Sequence, residues 1–153
     1  RPCRINVLSR GGVRARFFLR WRTFRWLLQR ARQRTGSGNL HAAVVQDGDQ
    51  VVGWYLYHLE RDQMATVLQV VAEADAVRPV LEQLFSQASH HGAMAVTGRA
   101  EPRYLQALSD SYCVFHRRGP WVLVNARQPA LLRSFETGDV WFSRLDGEWC
   151  LAF

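Results

Sequence analysis

The sequence predicts an α/β domain with a mixed, mostly antiparallel central sheet flanked by helices. β-Rich runs cluster between residues 40 and 72, and helical apolar periodicity appears over 15–34 and 75–91. The chain has 153 residues, 48% of them apolar, which suits one domain with a substantial core. We therefore expect an irregular basic lead-in over 1–16 and a single domain over 17–153.

The first predicted element is an amphipathic helix over 15–34. Its apolar residues recur at steps of three and four and form one stripe: Phe17, Trp21, Phe24, Leu28 and Ala31. Leu19 and Trp26 fall on the opposite face, about 180° away. Gly36 or Gly38 can then supply a left-handed cap. We expect the stripe to pack on the sheet.

Three strands are predicted next, over 40–46, 50–60 and 64–73. The DGD run at 47–49 is typical of a hairpin turn. Both faces of the second strand are apolar or aromatic, so we expect it to be covered on both sides. Gly53 interrupts this strand and indicates a bulge or a close approach of another backbone.

Helices and short strands alternate in the second half. Asp75 is predicted to be the N-cap of a helix that has Pro79 in its first turn and ends near His91. A strand over 93–100 and a helix over 101–112 follow. The remaining predictions are a hairpin over 113–118 and 120–126, a helix or turn over 129–135, and a hairpin over 139–145 and 148–153.

Charge is distributed very unevenly. All 20 basic residues are Arg; residues 1–34 hold 11 of them and no acid, whereas residues 35–153 hold nine Arg and all 13 acids. The basic segment is therefore either a solvated helix face or a surface for an anionic partner, such as a nucleic acid, an acidic protein or an anionic membrane. The candidate partner-binding residues are Arg20, Arg22, Arg25, Trp26 and Arg30.

The cysteines and histidines provide no recognisable metal or disulfide pattern. Cys3, Cys113 and Cys150 are odd in number and widely spaced, which predicts reduced thiols and a cytoplasmic location. His90 and His91 are expected near a helix C-terminus, where the helix dipole favours their charged form. No apolar run approaches the roughly 20 residues that a membrane span requires.

The order of elements from Phe17 to Ala126 resembles that of the GNAT (N-acetyltransferase) superfamily after its first strand and helix. An acidic-Gly turn leads into VVGW, and MATVLQVVAE (64–73) takes the place of the central strand whose splayed end receives the cofactor. The resemblance implies a GNAT-like fold and acyl-CoA-dependent N-acyltransferase activity. It also implies acetyl-CoA or another acyl-CoA as cofactor and an amine of a small molecule or protein as acceptor.

The resemblance also implies site residues. Val70 and Val71 at the end of the central strand, with Arg78 in the following helix, become candidate cofactor contacts. Glu60 becomes a candidate general base and Tyr104 a candidate general acid. The alternatives are an exposed strand-end acid at Glu60 and a core-facing aromatic at Tyr104.

The segment AEADAVRPV (72–80) departs from the family pattern. It contains no glycine, and it places Glu73 and Asp75 where the family holds a pyrophosphate on backbone amides at a helix start. We therefore expect a degenerate cofactor loop. Two other functions remain open: a non-catalytic GNAT-like module that binds a partner through the Arg-rich helix, and an aminoacyl-tRNA-dependent transferase.

Overall fold

A computed structural model describes residues 21–33, 38–116, 125 and 127–137. The elements in chain order are α1 (Trp21–Gln33), β1 (Asn39–Asp47), β2 (Gln50–Leu59), β3 (Met64–Ala72), α2 (Val77–His90), β4 (Ala95–Thr97), a 3₁₀ turn (Pro102–Tyr104), α3 (Leu105–Asp110) and α4 (Pro129–Glu136). The sheet order is β1-β2-β3-β4, antiparallel except for the parallel β3–β4 pair. The predicted α/β class with a mixed, mostly antiparallel sheet is confirmed.

The sheet carries one apolar layer on each face. Tyr55 and Tyr57 of β2 are fully buried, and on their face they pack with Val80 and Leu84 of α2. On the opposite face, Leu27 and Ala31 of α1 pack against Leu56 and Leu68. The strand β2 is thus covered on both sides, as its two apolar sets predict.

Gly53 lets helix α2 approach the sheet closely. A Cβ atom at this position would lie 2.5 Å from Val80 Cγ2 and 2.6 Å from the carbonyl oxygen of Val71. Both distances are far below van der Waals contact, so a side chain here would force the helix away from β2. Both features predicted at Gly53 are present: the close approach, and a bulge beside it, because Val45 pairs with Gly53 whereas Gln46 pairs with Val51.

The strand β3 contains one extra residue. Leu56 pairs with Gln69 whereas Tyr57 pairs with Val67, which leaves Leu68 without an opposite residue in β2. Because a bulge reverses the alternation of side chains, Val67 and Val70 both pack on the α2 face although three positions separate them. Leu68 itself packs with α1.

The strands β3 and β4 diverge just beyond their last paired residues. Their pairing ends at Thr66 and Thr97, whereas β3 continues to Ala72. A Cβ atom on Gly98 would still lie 3.2 Å from Val67 Cβ, so the two chains remain in contact at that level. Farther along, the described residues form no backbone pair between them. We call this region, bordered by residues 70–72 and 101–104, the divergent end.

The start of helix α2 differs from its prediction by one residue. Ala76, not Asp75, is the N-cap, and its side chain cannot cap the helix. The amide of Ala76 instead donates to the carbonyl of Glu73 at 3.1 Å, because residues 73–76 form a backbone turn. Asp75 is left exposed, and Pro79 lies in the first turn as predicted.

Other boundaries also shift. The predicted helix over 101–112 is divided into the 3₁₀ turn and α3, and it stops where Tyr112 adopts a left-handed φ of 58°. Residues 113–116 form no strand. The predicted lead-in over 1–16, residues 117–124 of the predicted hairpin and the final hairpin from 139 onward lie outside the described residues. Among the described helices, none has the length and apolarity to span a membrane.

Candidate functional site

Tyr104 reaches across the divergent end to the last residue of β3. The amide of Glu73 donates to the carbonyl of Val52 in β2 at 2.9 Å, so the preceding amide, that of Ala72, points to the opposite edge of the strand. There it donates to the hydroxyl oxygen of Tyr104 at 3.2 Å. Because this oxygen accepts the amide hydrogen, the phenolic hydrogen stays available for donation to another group.

The surroundings of Tyr104 keep its phenol protonated. Only 3% of the residue is exposed, and burial is the main cause that raises the pKa of Tyr104 above its ordinary value, against the opposing effect of Arg103. The Arg103 guanidinium carbon lies 4.6 Å from the Tyr104 ring centroid, and its Nε lies 2.9 Å from Oε2 of the buried Glu101. An ion pair thus flanks a protonated tyrosine.

The predicted cofactor contacts lie at the same end of the molecule. Val70 and Val71 are half-buried in the last part of β3. By alternation, the backbone polar groups of Val70 face the same edge as the Ala72 amide. Arg78 is exposed in the first turn of α2, where its Nε lies 3.0 Å from Glu82 Oε1. An exposed pair of this kind contributes about 0.3–0.5 kcal/mol, so Arg78 can leave it for an anion at little cost.

This end of the molecule offers few backbone groups to a ligand. At the edge of β3 the Ala72 amide is already bonded to Tyr104, which leaves the backbone groups of Val70. At the start of α2, Pro79 has no amide hydrogen and the Ala76 amide is already bonded. Only the amides of Val77 and Arg78 remain there, and the exposed carboxylates of Glu73 and Asp75 lie in the preceding turn.

Glu60, the predicted base, lies at the other end of β3. Its Oε1 accepts a 2.7 Å hydrogen bond from Oγ1 of Thr66, a residue in the last pair before the strands diverge. Six residues of strand separate Thr66 from Ala72, or roughly 20 Å. The structure therefore does not bring Glu60 and Tyr104 together.

Glu60 instead borders a polar group on the α1 face of the sheet. His58 and Thr66 are buried opposite partners on β2 and β3, and Gln69 is 4% exposed. The side-chain oxygen Oε1 of Gln69 has no hydrogen-bond partner in the described part of the chain. In the sequence this group is visible only as polar residues within otherwise apolar strands. That pattern alone does not predict a functional site.

A second cluster of titratable side chains lies on the α2 face. The Tyr57 hydroxyl and His91 Nδ1 are 2.7 Å apart, and the His41 ring centroid lies 4.1 Å from that of His91. Burial, and secondarily Tyr55, raises the pKa of Tyr57 to about 12. Burial, and secondarily His91, lowers the pKa of His41. Among the described residues, no three His, Cys, Asp or Glu side chains form a metal site.

Four of the five candidate partner-binding residues lie on α1. Leu27 and Ala31 face the sheet, whereas 48% of Trp26 is exposed, which confirms that Trp26 lies on the outer face. The Arg30 guanidinium carbon is 5.5 Å from the Trp26 ring centroid, and Arg25 is exposed. Only the backbone of Arg22 is described, and Arg20 lies outside the described residues.

Comparisons with known proteins do not assign this chain to a family. No family model and no curated protein sequence matches the chain. A crystal structure of a point mutant of TTHA1254 from Thermus thermophilus is similar, with 19% sequence identity, a TM-score of 0.46, and coverage of 62% of this chain and 75% of that chain. A likeness of this degree assigns no function, so any assignment must come from the side chains and backbone of this chain.

Proposed function

We propose that this chain is a GNAT-like, acyl-CoA-dependent N-acyltransferase with a degenerate cofactor loop. The observation that supports the proposal is the end of β3–β4 pairing at Thr66 and Thr97, beside the bulge at Leu68. It leaves the β4-side edge of β3 around Val70 open to an extended ligand next to Tyr104, and the GNAT resemblance implies that an acyl-CoA binds at such an edge.

Tyr104 is the proposed general acid. Bound acyl-CoA would supply an activated thioester carbonyl with a thiol leaving group. Tyr104 holds its proton because burial raises the phenol pKa, and the Ala72 amide fixes the position of its oxygen without using its hydrogen. The backbone groups of Val70, which face this edge, would bind and orient the thioester arm, and an amine of a small molecule or protein would be the acceptor.

Glu60 is too distant to act with Tyr104 on one reacting centre. A general base must come within about 3 Å of the proton that it removes, or reach it through one water. The roughly 20 Å of strand between Thr66 and Ala72 greatly exceeds this distance. The proposed chemistry therefore depends on Tyr104, and the role of Glu60 as base stays a prediction from the resemblance.

Calorimetric titration with acetyl-CoA and with S-acetyl-pantetheine tests the proposal. We expect both to bind with dissociation constants above about 100 μM, near −5.5 kcal/mol or weaker, because the diphosphate gains few contacts. We also expect Tyr104→Phe to reduce acyl transfer to amines by about 10²-fold or more without weakening binding. Absence of binding for both ligands would refute the proposal, and low-micromolar binding of acetyl-CoA would refute the interpretation of the loop.

A second candidate is a non-catalytic GNAT-like binding module. Two observations favour it. The Ala72 amide is already hydrogen-bonded to Tyr104, and the turn before α2 carries Glu73 and Asp75 in place of an anion-binding loop. Such a module would contact its partner through the Arg-rich helix α1. It predicts that neither thioester ligand binds, so the same titration separates the two candidates.

A further inference from the structure

We propose that the outer face of α1, formed by Arg25, Trp26, Arg30 and Arg32, binds single-stranded nucleic acid. All four side chains are exposed, and Arg25 and Arg32 lie on the same flank of the helix, since seven residues correspond to two turns. We call this surface the α1 outer face. It is separate from the divergent end, so the inference stands whether or not the chain transfers acyl groups.

The charge of the α1 outer face is opposite to that of the rest of the described domain. Helix α1 carries four Arg and no acid. Residues 38–116, which form the sheet, α2 and α3, carry four Arg and nine acids. Within the described residues, positive charge is thus concentrated on one helix, where it would attract a phosphate backbone, whereas the net negative charge of residues 38–116 would repel it.

Trp26 gives the α1 outer face a feature that charge alone does not explain. The helix buries Leu27 and Ala31 against the sheet and leaves nearly half of a large indole in water. Arg30 lies over the indole at 5.5 Å, a cation–π contact that orients the ring within the basic surface. An exposed aromatic ring inside a basic surface is the arrangement on which unpaired bases stack.

The aromatic ring favours a single strand over other anionic partners. Bases in a duplex are already stacked on their neighbours and offer no face to Trp26. An acidic protein would use the arginines and leave the ring without a partner. A membrane would need a broad apolar face, but Leu27 and Ala31 are committed to the sheet.

The test is fluorescence anisotropy of a fluorescein-labelled oligo(U) of about 12 nucleotides, a length within the usual single-strand site sizes, titrated with the protein at several salt concentrations. We expect Arg25→Gln/Arg30→Gln to reduce the slope of log K against log salt by about 1.4, or about 0.7 for each lost phosphate contact. The lysine variant R25K/R30K should keep most of the slope. Trp26→Ala should weaken binding roughly 5- to 100-fold with little change in slope, and Trp26→Phe should weaken it less.

Matched controls lie elsewhere on the surface. Arg61→Gln removes an exposed arginine from the β2–β3 turn, and Tyr112→Ala removes a ring that is 95% exposed. Neither should alter oligo(U) binding, and all variants should keep the wild-type melting temperature because the altered side chains are exposed. The affinity for acetyl-CoA should not change in Trp26→Ala, which keeps this test distinct from that of acyl transfer.

Three outcomes would overturn the proposal. The first is no detectable oligo(U) binding at low salt. The second is equal or tighter binding of an RNA duplex of the same length, phosphatidylserine vesicles or poly-glutamate, each of which would identify a different partner. The third is a loss of affinity in Arg61→Gln or Tyr112→Ala as large as in the matching α1 variant.

Discussion

The hydroxyl oxygen of Tyr104 accepts a hydrogen bond from the backbone amide of Ala72, with 3.2 Å between nitrogen and oxygen. The contact joins the 3₁₀ turn that follows β4 to the last residue of β3. It therefore fastens the two sides of the divergent end at the point where backbone pairing no longer does so, and it gives the phenol a fixed place at the open edge.

Removing this hydroxyl should reduce stability modestly. In Tyr104→Phe the Ala72 amide loses its acceptor while the buried ring remains, so we expect the free energy of unfolding to fall by about 1 kcal/mol. Urea denaturation measures the change. Tyr112→Phe, which alters an almost fully exposed tyrosine, should leave it unchanged. Equal stability of Tyr104→Phe and the wild type would show that the contact contributes nothing.

A methyl group at Gly53 should be costly. In Gly53→Ala the new Cβ would clash with Val80 and with the backbone oxygen of Val71, and we expect a loss of about 2–3 kcal/mol. Gly48→Ala is the comparison, because a Cβ atom at Gly48 would have no neighbour within 4 Å, and its left-handed φ of 56° costs about 1 kcal/mol. Thermal or urea unfolding of both variants measures the difference, and a milder effect at Gly53 than at Gly48 would contradict the described packing.

Alkaline pH should destabilise the domain through Tyr57. Its pKa rises from 10.0 to about 12 on folding, so the unfolded chain loses this proton first. The stabilisation is complete below about pH 10 and is lost as pH rises from about 10 to about 12, on the order of 2 kcal/mol. Unfolding free energies across this range should decline less steeply in Tyr57→Phe. A phenolate absorbance titration in which Tyr57 ionises near its ordinary pKa would contradict the prediction.

Mild acid should destabilise the domain through His41. Burial and the nearby His91 lower the His41 pKa in the folded state below 6.5, so the unfolded chain binds this proton first as pH falls. Stability is complete above about pH 6.5 and decreases as pH drops from there toward the folded-state pKa. Urea denaturation at about pH 7.5 and about pH 5 should show a smaller loss in His41→Phe than in the wild type. Histidine NMR titration placing the His41 pKa above 6.5 would refute this.

Neutralising the turn before α2 should strengthen acyl-CoA binding. Each carboxylate of Glu73 and Asp75 would repel a diphosphate by about 0.5–1 kcal/mol, so Glu73→Gln/Asp75→Asn should tighten acetyl-CoA binding roughly 5- to 30-fold. S-Acetyl-pantetheine carries no diphosphate and should gain nothing. Asp62→Asn, in the β2–β3 turn, is the control for a general charge effect. Calorimetry that shows equal gains for both ligands would contradict the assigned position of the diphosphate.

Much of the secondary structure could be predicted because the apolar periodicity and the turn residues indicate the same helices and strands. The DGD run fixes the β1–β2 hairpin, and Pro79 marks the first turn of α2. The bulge at Leu68 could not be predicted, because MATVLQVVA is largely apolar at both odd and even positions and an extra residue interrupts no pattern. The burial of Leu27, beside the predicted Leu28, likewise depends on how α1 rotates against the sheet.

The candidate site was less predictable, because it depends on distances between elements. Tyr104 and Glu60 are each consistent with a known role, but only the sheet register shows that they lie at opposite ends of β3. The contact between His41 and His91 joins residues far apart in the chain, and no spacing rule connects them. Glu101 and Arg103 lie on either side of Pro102 at the start of a helical segment, where a charged pair is ordinary. Only the burial of Glu101 and the position of Arg103 over the Tyr104 ring distinguish them.

The single additional residue in β3 is the one that the strand could lose without a change of register. Without Leu68, Val67 and Gln69 would follow one another opposite Tyr57 and Leu56, and Val70 and Ala72 would keep their faces of the sheet. The loss would be the Leu68 side chain, which packs with α1. Deleting Val70 instead would move Ala72 by one position, so that its amide would aim at β2 and away from Tyr104.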